Sequence, residues 1–491
     1  MTNVEAILGS LDFGKVDAEA EEELVERFIR TYGFDQISDK HTLIILGPKG
    51  SEKSAIFRLL TEYTEEAKDL LEDGFPSNTH LVKATGGNDV NSIDNRDLKE
   101  LRKQDDFSYD EFWRIYIGTK VASKLGEIGY TSGGKFGSGN ELSDVLRAFN
   151  QQSDWRIIPV IKSIWEAIVG DPPSSGSISY GQFSLEIGND ENMNIDRLLE
   201  QEQEVLEERG ENIWLLFDRI DELHSRQPDK RKALLESLFT VQRTFVDRYS
   251  NIQLKIFLRS DIWSELQFIN KSHIADKMIE LQWDDLQLLK LVNKRMLQSD
   301  MVLEYVEGST SMDISPGNID NYDKINQEEI FYSVFEDQVY SGPKEADLFD
   351  WMTSRIEDGQ GGRYPRELIT FCNEAVKKEI QSEEHPDNRL IGGLSVRDAF
   401  FIVSEQRVNT YLSEFPDLEE HFSRFDGKKT AEYSSSELHD LFDDLQPEGK
   451  KAIDRMVDVG FFEEKRRDEK KMYEIPRLYR EGIGLVIRGR P

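Results

Sequence analysis

The chain has 491 residues and a mass of 56.8 kDa, enough for two to four domains at roughly 100–200 residues each. Hydrophobic residues make up 38% and aromatic residues 10%, which excludes a wholly disordered chain. A formal charge of −34 excludes coating of nucleic acid or anionic lipid through the average field, so any such contact needs a local basic patch.

Salt adaptation would leave the same excess of acid, and composition does not separate the two origins. Cys372 is the single cysteine. That excludes an intramolecular disulfide and any multi-cysteine metal site, and it fits a reducing compartment. The seven histidines show no HExxH or comparable ligand spacing, so no zinc is expected. The first residues lack a basic region followed by an apolar run, and no stretch approaches about 18 uninterrupted apolar residues. The expectation is a cytoplasmic protein without a membrane partner.

In chain order, residues 17–33 carry Leu24, Val25, Phe28 and Ile29 at helical spacing and close on Gly33, which predicts a helix. HTLIIL at 41–46 predicts a short buried strand, followed by a Gly-rich turn and a helix from about 53 to 72. Strand, loop and helix in that order open an α/β domain. HLVKA at 80–84 predicts a second strand. Residues 87–210 look irregular: a helix at 109–126, the Gly/Ser stretch TSGGKFGSGN, a helix near 155–168, the linker DPPSSGS, a hairpin at 177–188 and a charged helix at 193–209. This block is expected to be an insertion. The core resumes with IWLLF at 213–217 and LKIFL at 254–258, runs of the fully buried strand type. Helices are expected at 285–299 and 327–340 around a polar loop at 308–324, and from about 363 to 381. After a polar break at 382–392 come helices at 395–413, 417–424, 435–444 and 447–459. Two short strands around a basic turn, GFFEEKRRDEKKMYEIP, then predict a wing.

The expected fold is therefore α/β: a P-loop NTPase core, a parallel sheet flanked by helices, with a helical insertion, a helical lid and a C-terminal winged-helix domain. Residues 1–86 would hold the N-terminal helix and the loop part of the core, and 87–210 the insertion. Residues 211–300 would complete the core, 301–392 form the lid and 393–491 the winged-helix-like domain.

GPKGSEKS at 47–54 lies between a strand and a helix and follows G-x-x-x-x-G-K-[ST] at Gly47, Lys53 and Ser54, with a further glycine at Gly50 in the turn. Glycines let the backbone N–H groups turn around a phosphate. The lysine spans two phosphates, the hydroxyl ligates Mg²⁺, and the helix N-terminus favours the anion. Gly47, Pro48, Lys49, Gly50, Ser51, Glu52, Lys53, Ser54 and Ala55 are thus the candidate ATP-binding residues. Glu52 departs from the pattern, bringing a Cβ and a negative charge where glycine is usual. It either points to solvent with modest effect or weakens nucleotide binding.

Such a loop needs an acid on a neighbouring strand for the metal shell. IWLLFDRIDEL supplies Asp218, with Asp221 and Glu222 within one turn as candidates to polarise water. Ser54 and Asp218 are the candidate Mg²⁺ ligands. Many ATPases place an acid directly after the magnesium aspartate; here that residue is Arg219. KIFLRSDIW puts Arg259, with Asp261 as a second candidate, where a group can sense the γ-phosphate; an ion pair with an acidic neighbour is the other reading. In GGRYPREL, Pro365 suits a helix start, and Arg366 is either a second sensor or a surface ion pair. From Lys465 onward the chain holds nine basic against four acidic residues, so 465–490 is the candidate DNA contact. A solvated wing serving a protein contact explains it as well.

Taken together, the chain resembles the bacterial and archaeal P-loop ATPases of the AAA+/STAND type that end in a winged helix. The strings carrying the likeness are DFGKVDAEAEEELVERFIRTYGF, GPKGSEKSAIFRLL, WLLFDRIDEL, FLRSDIWSELQFINKSHI, GGRYPRELITFCNEA and MVDVGFFEEKRRDEKKMYEIPRLYREG, in order over most of the chain. The resemblance implies Lys53 and Ser54 as Walker A residues, Asp218 as the magnesium aspartate, and Arg259 and Arg366 as sensors. It further implies a conformational switch or motor, working as a homo-oligomer or with an effector protein, in antiviral defence or a DNA transaction. The 164 residues between Ser54 and Asp218 are long for this fold and support an insertion.

Overall fold

The computed structural model describes residues 4–71, 74–85, 95–101, 108–130, 141–150, 160–162, 164–165, 177–180, 183–186, 194–224, 227–310, 312–467 and 470–486. The chain divides into two compact units. One comprises Met1–Thr31, Lys49–Glu52 and Gln282–Pro491, the other Tyr32–Pro48 and Lys53–Leu281.

The second unit is built on strands β1 (Ile44–Gly47), β2 (Thr79–Thr85), β5 (Asn212–Phe217), β6 (Ile252–Arg259) and β7 (Met278–Glu280), with the hairpin β3 (Ser177–Tyr180) and β4 (Phe183–Glu186) forming a separate pair. The five strands lie in the order β2-β5-β6-β1-β7, every pair parallel. Parallel strands need helical crossovers, which cover both faces of a sheet. Continuous apolar runs are the consequence in sequence. Ile44, Ile45, Leu215, Leu216 and Ile256 are all fully buried, each contributing about 1.5–3 kcal/mol relative to exposure. On one face Phe57 of helix Lys53–Glu62 meets Phe257 edge-on, ring centres 5.9 Å apart. On the other, Trp113 of helix Tyr109–Glu127 packs against Phe217 and donates its indole N–H to the Leu234 carbonyl at 2.9 Å. Leu234 lies in helix Pro228–Arg248.

The registry sets the site. Gly47 lies level with Arg259, and Phe217 with Ile256, so β1, β5 and β6 all end on one edge. In parallel α/β sheets that carboxyl edge is where ligands bind.

In the first unit, helices Asp285–Met296, Lys324–Val334, Pro365–Ile380 and Gly393–Glu414 share one apolar core with the C-terminal elements. Strands β8 (Glu432–Ser434), β9 (Glu463–Arg467) and β10 (Lys470–Glu474) form an antiparallel sheet in the order β8-β10-β9. Helices Ser435–Leu441 and Gly449–Asp458 lie between β8 and β9 in the chain. Helices followed by a β9–β10 wing make a winged helix. The fold is α/β, a P-loop-type parallel sheet flanked by helices and a C-terminal winged helix.

Several expectations need correction. Residues 17–33 are not one helix: a short 3-10 turn at Ala18–Ala20 and a helix at Leu24–Arg27 precede Phe28, whose ψ of 134° is extended. Gly33 falls inside the next helix, Tyr32–Ile37. Arg27 is the reason, its buried guanidinium tying Glu21, Glu23 and Asp12 together at 2.7–3.3 Å, an arrangement that folds the segment on itself. The helix expected over 53–72 breaks at Tyr63 into Lys53–Glu62 and Thr64–Leu70. Residues 300–310, given in part to a loop, are helical, and the helix expected over 327–340 runs over Lys324–Val334. The third strand of the wing sheet, β8, has no counterpart in the sequence reading. A capping box at its end, Ser434 with Glu437, was the available signal. TSGGKFGSGN, DPPSSGS up to its last residue and most of the 155–168 segment lie outside the described residues.

Candidate functional site

At the carboxyl edge of the second unit's sheet, Ser54 Oγ donates to Asp218 Oδ2 at 2.8 Å. Asp218 does not sit on the strand next to β1. Strand β6 lies between β1 and β5, because the sheet inserts its later strand centrally. Arg259, at the end of β6, is instead the immediate neighbour of Gly47. The Lys53 Nζ donates to the carbonyls of Gly47 and Pro48 at 2.6 and 2.7 Å. Burial pulls this ammonium down to about 8, against the pull of Asp218 and Asp221, while Arg259 adds to the drop. Burial likewise pushes the Asp218 carboxyl up to about 6, opposed by the Ser54 hydrogen bond and the Lys53 charge.

Asp218 is held by a residue the sequence reading passed over. Thr85, the last residue of β2, donates its hydroxyl to the Asp218 carbonyl at 3.0 Å, and its own backbone carbonyl accepts from the Asp218 N–H at 3.1 Å. The polar end of HLVKAT was the available signal. Beyond Asp218 the backbone turns through the left-handed region at Arg219, φ 57°, into the turn Ile220–Glu222. Arg219 Nε lies 3.0 Å from Glu222 Oε1, and Glu222 is an exposed side chain. Asp221 is the acid of this turn whose charge acts on Lys53. Arg259 turns its fork onto Asp261, Nε and Nη2 donating at 3.0 and 2.8 Å. Burial raises the Asp261 carboxyl, but the guanidinium outweighs this and holds it below its ordinary value.

In the first unit, loop residues Lys49–Glu52 pack among the helices. Lys49 pairs with Glu414, and the Trp283 indole N–H donates to the Ser51 carbonyl at 3.4 Å. Gly50 has φ 89°, and a Cβ there would stand 2.9 Å from Arg366 Cβ, so both backbone conformation and close approach require glycine. Arg366, the second residue of helix Pro365–Ile380, has a buried Nε without a hydrogen-bond partner among the described residues. Its neighbour Glu367 is paired with Arg407 at 3.1 Å. Glu52 is half-buried with φ 69°. Burial lowers the Arg295 guanidinium, and the charges of Glu52 and Glu21 oppose that shift. Arg295 Nη1 also donates to the Phe13 carbonyl at 2.8 Å.

The donors fit a magnesium nucleotide. A hydroxyl and a carboxylate are hard oxygens, and Mg²⁺ takes one or two such protein ligands, completing its shell with water and phosphate. No group of three or more ligating side chains occurs among the described residues. Lys53 brings the cation, and positive φ at residues 50 and 52 gives the turned backbone of an anion-binding loop.

In the winged helix, Lys465, Arg467 and Lys471 face Glu474, Glu432 and Glu464 at 2.6–3.1 Å. Arg466 and Lys470 form no ion pair among the described residues.

No family model matches the chain, and no curated protein does. Two similar solved structures are Cdc6p from Pyrobaculum aerophilum and the Orc1 protein of Aeropyrum pernix in complex with DNA. The first is 12% identical, covering 90% of this chain and 86% of that one with a TM-score of 0.29. The second is 12% identical over 92% of this chain and 90% of that one, TM-score 0.32. No helix among the described residues is long and apolar enough to cross a membrane.

Proposed function

We propose that the protein binds ATP with Mg²⁺ through residues 47–55, hydrolyses it, and uses the nucleotide state to reposition its winged helix or a partner. The observation that carries this reading is the 2.8 Å contact between Ser54 and Asp218 with the Lys53 ammonium beside them. Residues 164 apart in the chain meet only where the sheet's carboxyl edge gathers them. In this reading Lys53 exchanges its bonds to the Gly47 and Pro48 carbonyls for phosphate oxygens. Ser54 and Asp218 hold the metal, which would supply charge neutralisation at the phosphates. Asp221 orients the attacking water, since Glu222 is engaged by Arg219. Arg259 and Arg366 act as the two sensors. The family resembled sets such switches beside effectors, so the partner is taken as a second copy or an effector protein, in defence or a DNA transaction.

That same Arg219–Glu222 pair favours a second reading, a nucleotide-binding scaffold with little turnover. A DNA-binding regulator would instead work through 465–490, resting on Arg466 and Lys470. Phosphate release by the purified protein, with and without DNA, separates the three. For nucleotide binding itself, Lys53→Ala should abolish the thermal stabilisation given by ATP and Mg²⁺; stabilisation unchanged in that variant removes the loop from the site.

A further inference from the structure

Helix Gly393–Glu414 is apolar on two sides. Val396, Ala399, Phe400 and Val403 are buried in the core of the first unit. Along another side Leu394, Phe401, Val408 and Leu412 recur at the spacing of a single helix face; Val408 belongs to the same core and Leu412 packs against it, while Leu394 and Phe401 are 52% and 41% exposed. Here the helix borders a groove of about 590 Å³, with the buried Val408, Phe422 and Ile483 among its lining. The turn after helix Arg477–Arg480 forms a wall. Its Gly482 N–H donates to Ser404 Oγ at 2.9 Å, and a Cβ there would stand 2.5 Å from the Ser404 carbonyl oxygen.

Among the described residues the charged members of the lining are all acids: Glu405, Glu419, Asp426 and Glu481, without a lysine, arginine or histidine. None of the four forms an ion pair among the described residues. Other carboxylates of this unit do face cations, as Glu367 does Arg407 and Glu474 does Lys465.

We propose that this groove docks a basic amphipathic helix of a partner protein, its aliphatic face on Phe401, Val408 and Ile483 and its lysines or arginines against the four carboxylates. Apolar floor and single-sign rim together select the occupant. An apolar strip at helical spacing beside a groove suits a helix laid along it, and a rim of four carboxylates selects cationic flanks. Nucleic acid is repelled by this rim. A second copy of the chain, at −34, is opposed by long-range repulsion. The inference stands apart from the nucleotide reading.

The test uses the full chain and a labelled Leu/Lys peptide of about 18 residues, five turns of helix. Its leucines lie on one face, and an isomer of the same composition has them spread around the helix. At about 0.15 M salt, anisotropy should show the amphipathic isomer binding at least about tenfold more tightly than the spread one, since both carry the same charge. Phe401→Asp and the double variant Glu405→Lys/Asp426→Lys should each lose about tenfold or more in affinity for it. All three positions are exposed, so melting temperatures should match wild type, and either variant carries the test alone if the other misfolds. Equal binding of the isomers, or variants that bind like wild type, would overturn the proposal. So would sedimentation showing self-association that Phe401→Asp abolishes, which assigns the groove to a second copy.

Discussion

Replacing Glu52 by glycine tests two physical effects that act on different observables. Residue 52 holds φ 69°, where a side chain costs about 1 kcal/mol or slightly more relative to glycine. The attraction to Arg295, absent from the variant, is that of a half-exposed carboxylate and offsets about 0.5 kcal/mol. Without nucleotide, then, Glu52→Gly should be more stable by roughly 0.5 kcal/mol, a melting shift of about 2 °C or less. The charge acts on affinity. A carboxylate about 8 Å from a phosphate charge opposes it by about 2 kcal/mol at an effective dielectric near 20. Partial exposure and the neighbouring Arg295 reduce that to roughly 1 kcal/mol, about fivefold in Kd. Titration calorimetry with ATP and Mg²⁺ should therefore find Glu52→Gly binding about fivefold tighter at low salt, and less so at about 0.15 M, where the screening length falls to about 8 Å. Glu52→Gln separates the effects: it should recover the affinity gain without the gain in stability. Weaker binding by Glu52→Gly, or an affinity gain independent of salt, would refute the reasoning and require a contact from Glu52 that supports the nucleotide.

Asp218→Asn should cut ATP turnover at least about tenfold, a barrier change of about 1.4 kcal/mol or more; turnover near wild type in a phosphate-release assay would move the metal role to Asp221. Lys255 is fully buried on β6, donating to the Asp39 and Thr42 carbonyls at 2.8 and 2.7 Å, and burial pulls its ammonium down to about 7 against the charge of Asp39. From about pH 7 up to the unfolded value near 10.5, the unfolded state binds more protons than the folded one, so stability should rise with pH. Urea unfolding at the two ends of that window should show the rise in wild type and lose it in Lys255→Met; parallel pH dependences would rule it out. If the wing contacts DNA, reversing Arg466 and Lys470 should lower the salt slope of binding by about 0.9 for each phosphate left without its cation, with ATP stabilisation intact. Absence of any DNA binding at low salt, with and without ATP, would assign the wing to protein contact.

Much of the core was legible because its signals are local. LIIL, IWLLF and LKIFL announce buried parallel strands through uninterrupted apolar residues, and GPKGSEKS announces its turn through glycine spacing between strand and helix. The segment at 17–33 misled for a physical reason: its apolar spacing is helical, but the buried Arg27 gathers Glu21, Glu23 and Asp12 around itself. An ion cluster of that kind outweighs weak helix propensity. Strand β8 escaped because three residues carry too little periodicity to register.

By itself the sequence determined which residues form the loop, that an acid ends a buried strand, and that helices and a basic hairpin close the chain. These follow from interactions within a few residues, where backbone sterics, turn chemistry and side-chain period act directly. Only the tertiary structure decided that β6 separates the loop strand from the Asp218 strand, that Thr85 anchors Asp218, and that Arg259 turns to Asp261 and Arg219 to Glu222. It also decided that Lys49–Glu52 pack with Trp283, Arg366 and Glu414, and that helix Gly393–Glu414 borders an acidic groove closed by Gly482. Strand order is chosen by the packing of the whole sheet, and a charged side chain takes whichever partner that packing brings within about 3 Å, so neither choice is written in the spacing of any one segment.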